Sequence, residues 1–198
     1  MNRNSFLKLS LAIGSFLSAP IAVMAKPFSK KRENKGFKVD AGKDRFGKPI
    51  NLLEGDTFYT KVSSKDTEGD LYINESTRVK EGGPALHYHT ELDEWFYVLQ
   101  GEFLIKVGEE TYNAKAGDSV FGPRMVPHAF AKIGKEEGKL LTLFQPAGKM
   151  EEFFKAISEG KPSKMSKEEQ DAFRRKHGII WIGPPLKNLK GWQSENNQ

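Results

Sequence analysis

The chain has only four histidines in 198 residues, and three of them share one region. His87 and His89 lie two positions apart, Glu94 follows shortly after, and His128 comes later, beyond Pro123 and Pro127. Side chains alternate faces along a β-strand, so His87 and His89 point the same way. Two imidazoles on one strand, a carboxylate on the next and a third imidazole from a distant strand can meet inside a small barrel. Together they make a mononuclear site of nitrogen and oxygen ligands with open positions. A histidine on its own is more often a surface or hydrogen-bonded core residue. His177, near the end of a polar segment, takes that reading, with a favourable charge at a helix C-terminus. The chain has no cysteine, which excludes a disulfide framework, thiolate nucleophiles and sulfur-ligated metal.

The elements that must carry these residues read as strands. From about residue 50 to 145, short β-prone runs alternate with Gly, Pro and Asp turn signals. They include Thr57 to Val62, Leu71 to Val79, Glu94 to Leu99, Glu102 to Val107, Ala129 to Ile133 and Leu140 to Phe144. Gln100-Gly101 reads as a tight hairpin between two of them. The spacing suggests an all-β sandwich or barrel. After Pro146 the period changes: Met150, Phe153, Phe154 and Ile157 form one apolar helical stripe. Ser166 followed by Glu169 is a capping-box signature, with Gly178 as the stop. Both helices are expected to pack outside the barrel, and Ile179 to Ile182 to form a last strand.

The two ends of the chain differ from this middle. Arg3 and Lys8 precede an uncharged, mostly apolar run from Leu9 to Ala25 that ends in small residues at Val23 and Ala25. That is the pattern of a removable signal peptide, and the run is too short for a spanning helix. The protein is therefore expected to be exported, periplasmic or secreted, with no stable membrane span after signal removal. Much of the formal charge of +5 lies between Lys26 and Lys48. No aromatic or helical reader motif accompanies it, so it reads as a solvated linker and nucleic acid is not an expected partner. The expected division is 1–25 signal peptide, 26–47 basic linker, 48–147 barrel and 148–198 helical tail.

The motifs then carry a family resemblance. The series Gly82, His87-Tyr88-His89, Glu94, Gly101 resembles the first cupin motif, with its leading glycine one residue closer than usual. Gly117-Asp118, Pro123 and Pro127-His128 resemble the second. The short interval between them is that of compact bacterial cupins. Met125 stands where the second motif usually has Gly, so that turn must be reached with a side chain present; Lys132 stands where the motif often ends in Asn. The stretch Asp93 to Glu102, Val126 to Phe130 and the ending His177 to Leu186 resemble single-domain quercetin-dioxygenase-like (cupin type-2) proteins. The resemblance implies a jelly-roll-like β-barrel and His87, His89, Glu94 and His128 as ligands of one divalent transition metal (Fe, Mn, Ni, Co or Zn). It also implies a homodimer.

With Glu94 facing inward, Phe96 and Val98 face inward too, and Phe130 shares His128's face. The expected pocket is apolar and aromatic, suited to a flat small-molecule substrate. The function expected is a metal-dependent dioxygenase acting on a small aromatic or enol-type substrate, with Glu94 doubling as general base. The alternatives are a non-catalytic metal- and ligand-binding cupin and a metal-dependent isomerase, which would want a more polar pocket. Metal binding should weaken below about pH 6, because protons compete for the imidazoles. Residues 1–25 should be absent from the mature protein. Intact mass of material recovered from the native host checks this, and a mass that retains Met1 to Ala25 refutes cleavage.

Overall fold

The computed structural model describes residues 35–52 and 55–186. The expected signal peptide and the first part of the basic linker lie outside the described residues. The described residues form eleven strands in two antiparallel sheets. They are β1 (Ile50–Asn51), β2 (Asp56–Val62), β3 (Tyr72–Arg78), β4 (Ala85–His89), β5 (Asp93–Gln100) and β6 (Glu102–Val107). β7 (Glu110–Lys115), β8 (Ser119–Gly122), β9 (His128–Ile133), β10 (Gly138–Gln145) and β11 (Ile179–Pro185) complete the set. The first sheet has the order β1-β2-β3-β10-β5-β8 and the second β11-β4-β9-β6-β7. From β3 onward the chain repeatedly crosses from one sheet to the other, which is the two-sheet jelly-roll arrangement. Two helices, α1 (Met150–Ser158) and α2 (Lys167–Lys176), precede β11.

Alternation gives the sheets their inner faces. In β3 and β10, every second residue is buried: Tyr72, Asn74, Ser76 and Arg78 on one, and Gly138, Leu140, Thr142 and Phe144 on the other. In β5 the buried positions are Glu94, Phe96 and Val98, with Trp95 and Tyr97 turned outward as alternation requires. Two apolar clusters fill the space between the sheets. One contains Phe96, Val98, Phe103, Ile105, Ala114 and Leu140. The other contains Tyr72, Leu92, Phe144, Ala147, Met150, Phe153 and Ile179.

The Gln100-Gly101 turn is not a hairpin. β5 pairs with β10 and β8, whereas β6 pairs with β7 and β9 in the other sheet. The turn is a corner between sheets. Alternation and a turn-forming glycine look the same in both cases, because they report local bending and not which partner the next strand meets. The true tight hairpin follows β6, where Gly108-Glu109 joins it to β7. Gly101 does adopt a positive φ of 78°.

Both helices lie outside the two sheets, as expected, and α1 also contributes side chains to the core. Met150 and Phe153 of α1 are buried in the second cluster, and Phe154 meets Phe58 edge-on with 4.8 Å between ring centres. Helix α1 therefore closes one end of the sandwich. Glu151 fastens it there: Oε2 accepts from Ser63 Oγ at 2.7 Å, Ser64 N at 2.9 Å and Ser64 Oγ at 2.6 Å. Helix α2 begins with the expected capping box, Glu169 N donating to Ser166 Oγ at 3.2 Å and Ser166 N to Glu169 Oε2 at 2.7 Å. The end of the basic linker is not merely solvated. Asp44 accepts from the backbone N–H of Phe46, Lys48 and Thr60, and Arg45 N donates to Thr60 O, which pins this segment to β2.

A side chain at Gly101 would be strained twice, by its positive φ and by a Cβ only 3.0 Å from Glu137 O and Gly138 Cα. Gly101→Val should lower stability by about 1 kcal/mol or more. Thermal or denaturant melting checks this, and an unchanged midpoint counts against the corner.

Candidate metal centre

Both sheets contribute to the site. His87 and His89 lie on β4, and His87 is register-paired with His128 at the start of β9. Glu94 comes from β5 in the opposite sheet. One ligand atom from each of the four residues lies within 4.8 Å of the others. The imidazole centres are 4.7 Å apart for His87 and His128, 5.1 Å for His87 and His89, and 5.2 Å for His89 and His128. Glu94 Oε2 is 3.1 Å from both His89 Nε2 and His128 Nε2.

The neighbours of these groups fix which nitrogen faces the centre. His87 Nδ1 donates to Ala85 O at 2.7 Å and His128 Nδ1 to Val126 O at 3.0 Å. A carbonyl oxygen can only accept, so the proton sits on Nδ1 and the neutral ring turns an Nε2 lone pair inward. At His128 that lone pair faces an oxygen of a buried carboxylate. Two bare acceptors at this distance repel, and either a second ring proton or a metal ion between them removes the repulsion. Two ligands bound at right angles about 2.1 Å from one metal ion would themselves lie about 3.0 Å apart. The donor set and its spacing therefore fit a single divalent ion held by His87, His89, Glu94 and His128.

The loops are built to hold this arrangement. Arg124 grips Asp93, with N and Nε on Oδ1 at 2.8 and 3.1 Å and Nη2 on Oδ2 at 2.7 Å. This ties the turn before His128 to the residue beside Glu94, and it holds the Asp93 carboxyl below its usual range. Met125, in the glycine position, takes φ 64° with its side chain largely exposed, and its N–H donates to His89 O at 2.8 Å. A left-handed residue with a Cβ costs on the order of 1 kcal/mol, offset here by that bond. Lys132 is almost fully buried, and its Nζ donates to Gly134 O at 2.6 Å, away from the centre.

Electrostatics keep the ligands in their binding forms. Burial alone would raise the Glu94 carboxyl, but contacts from His128 and His89 outweigh it and hold the group well below the ordinary carboxylate range. Burial, then the neighbouring imidazoles His128 and His89, push His87 down to about 3. Its ring is walled in by protein yet borders an internal cavity, so it is only partly buried by surface area. His87 is consequently not the group through which protons compete near pH 6.

The cavity measures about 200 Å³. It is lined by His87, Glu94 and His128 and by the rings of Phe96, Phe130 and Phe144. The helix α1 stripe of Met150, Phe153, Phe154 and Ile157, with Ile179 and Trp181 of β11, adds to the lining, and Asp56, Ser76, Arg78 and Thr142 are its other polar members. Val98, expected in the pocket, faces inward but is packed with Phe103, Ile105 and Leu140 and does not line the cavity. His177 lies apart from the centre. It is buried beside Phe173 and Phe153, and its Nδ1 donates to Phe173 O at 2.7 Å. The residues sequence reasoning missed are Ser76, Thr142 and Phe144, and the helical stripe, which was visible as a stripe but not as a wall.

Residues 76–144 match the family model of the cupin domain. An uncharacterized protein of Methanocaldococcus jannaschii is 33% identical over 61 residues, 31% of this chain and 49% of that protein. The match thus spans about half the length of that relative. Among solved structures, an RmlC-like cupin from Shewanella frigidimarina has a TM-score of 0.46 at 20% identity, covering 59% of this chain and 96% of that one. KdgF from Halomonas sp. has a TM-score of 0.45 at 19% identity, covering 50% and 87%. The four candidate ligands all lie within the stretch, residues 76–144, that matches the cupin domain model.

His128→Ala should sharply reduce metal content, and His177→Ala should leave it unchanged; elemental analysis of both variants after loading is the check. The metal-free protein should also lose stability as pH falls from about 6.5 toward 3. In that window the unfolded chain protonates His87 and the native protein does not, so unfolding takes up a proton. Melting across pH should show a shallower slope for His87→Asn than for wild type.

Proposed function

We propose that this chain is a metal-dependent cupin dioxygenase acting on a small, flat aromatic or enol-type substrate. The observation that carries the reading is the largely aromatic cavity that borders His87, His128 and Glu94, three members of the four-residue cluster completed by His89. A bound divalent ion would supply Lewis acidity, lowering the pKa of a substrate hydroxyl or enol.

The protein's own groups do the rest. Phe96 and Phe130, 6.0 Å apart and steeply inclined, present aromatic edges and faces to a planar ligand. The wall formed by α1 and β11 excludes water, which strengthens every charge interaction inside. Glu94 is held as a carboxylate, so it serves first as a ligand. It can accept a substrate proton at Oε2 only when its contacts with His89 and His128 loosen. The isomerase alternative would need several polar partners for a sugar-like substrate; the lining offers Asp56, Ser76, Arg78 and Thr142 among mostly apolar residues, which favours the flat substrate.

Export of the mature protein is inferred from the Arg3 to Ala25 pattern. A homodimer is supported by the aromatic outer face of β5, where Trp95 and Tyr97 stack at 5.6 Å beside an exposed Phe121 on edge strand β8.

Oxygen uptake by protein of known metal content, offered flavonols, smaller enediols and β-diketones, tests the activity. Uptake with at least one of them, lost in Glu94→Ala, is the expected result. Ligand binding without any uptake by protein loaded in turn with Fe, Mn, Ni, Co and Zn would instead make the chain a non-catalytic binding protein.

A further inference from the structure

Among the described residues that line the cavity, Trp181 alone is exposed, with 50% of its surface in solvent; the others are buried or half-buried. One indole therefore borders both the cavity and the outside. Its place follows from register. Trp181 stands opposite His87 across the β11–β4 pair, and directly opposed residues of antiparallel strands share a face. The face that brings His87 to the cavity brings Trp181 there too.

The backbone that carries this indole is lightly held. β11 is an edge strand, with β4 as its one neighbour in the sheet. Regular pairing runs from Ile179 to Trp181, and the register then shifts before Pro185. Pro184 and Pro185 have no N–H to give to a ladder, so Trp181 ends the regular part of the strand beside an irregularity.

The ring itself is gripped from another element. The guanidinium carbon of Arg174, on α2, lies 3.9 Å from the ring centre. Arg174 is buried, and its Nη2 donates to Asp171 Oδ1 on the same helix. Arg174 does not line the cavity, so its route to the cavity is the indole.

We propose that Trp181 is a gate between the cavity and solvent, held shut by Arg174, and that a small planar apolar molecule passes when the ring swings off the guanidinium. A side chain with half of its surface in solvent can turn outward without opening the core, which the buried Phe96 and Phe153 cannot do. Shut, the indole shields the partly buried His87 ring from bulk water. Open, it leaves a passage beside that ring, because the two residues are register partners. The gate belongs to the cavity whether or not an ion is bound, so it goes beyond the metal-centred reading and does not rest on it.

The test is exchange of fluorobenzene with the full chain, followed by fluorine NMR. The cavity of about 200 Å³ is larger than the roughly 150 Å³ that holds benzene in an engineered apolar cavity. Arg174→Met and Arg174→Gln, which remove the cation, should speed association and dissociation together by about ten-fold and leave Kd within about two-fold. Trp181→Ala should speed both rates by at least as much. Ile182→Ala, at an equally exposed position that does not line the cavity, should keep wild-type rates. A side chain that merely touches the ligand would change dissociation and affinity while leaving association alone. Melting of each variant shows that the fold is intact. Wild-type rates in the Arg174 variants or in Trp181→Ala overturn the gate, as does a change in Kd with association unaltered. Faster exchange in Ile182→Ala overturns it too, since that reports general loosening. Binding to Trp181→Ala but not to wild type upholds a gate that stays shut, and binding to neither overturns it. Metal content is measured separately, so failure of the gate leaves the metal-centred reading standing.

Discussion

Three imidazoles and one buried carboxylate crowd into the same few ångströms, and much of the fold exists to hold them there. His87 and His128 meet as a register pair in one sheet, and Glu94 reaches across from the other. The centre therefore reports on the packing of the two sheets against each other. Backbone carbonyls of Ala85 and Val126 take the outer N–H of His87 and His128, so neither ring can rotate to turn its lone pair away. The Arg124–Asp93 pair and the Met125–His89 bond fix the two loops through which the ligand strands are entered. Relieving the repulsion by unfolding would mean breaking each of these. Binding a metal relieves it in place and couples the ion to folding.

The same constraint explains the C-terminal elements. A jelly roll that ended at β10 would leave the site open at one end. Helix α1 places Phe153 and Phe154 over the gap, and Glu151 fastens it through Ser63 and Ser64 to the loop between β2 and β3. Strand β11 then returns alongside β4, with Ile179 opposite His89 and Trp181 opposite His87. Arg174 of α2 lies 3.9 Å over the Trp181 ring and steadies it. The wall of the cavity is thus assembled from both ends of the chain's described length, and the part that α1 contributes is apolar.

The sequence made the centre legible because strand alternation is strict. The i, i+2 spacing of His87 and His89, and of Glu94 and Phe96, dictates a shared face whatever the surrounding fold. Helix α1 was legible as a stripe for the same reason. What alternation cannot supply is the partner of each face. It could not distinguish the Gly101 corner from a hairpin, since both bend the chain with a positive φ. It put Val98 on the correct side of β5 but could not show that Phe103, Ile105 and Leu140 would cover it.

Charge balance limits what such a cavity can hold. His87 keeps a neutral ring down to about pH 3 and Glu94 stays ionised, so a divalent ion bound by these four residues, with the other two imidazoles also neutral, would leave the centre with one net positive charge. At the far wall Arg78 and Asp56 cancel each other. A ligand that arrives with one negative charge, or acquires it by losing a proton at the metal, completes the balance without burying a surplus. A phosphate ester or a dicarboxylate would carry a second charge into aromatic walls with nothing to meet it, at a cost of several kcal/mol per ion. The enolate of a hydroxy-ketone carries one charge, spread over a flat framework that Phe96 and Phe130 can contact. The charge balance of the site thus agrees with the flat, singly charged substrate proposed above.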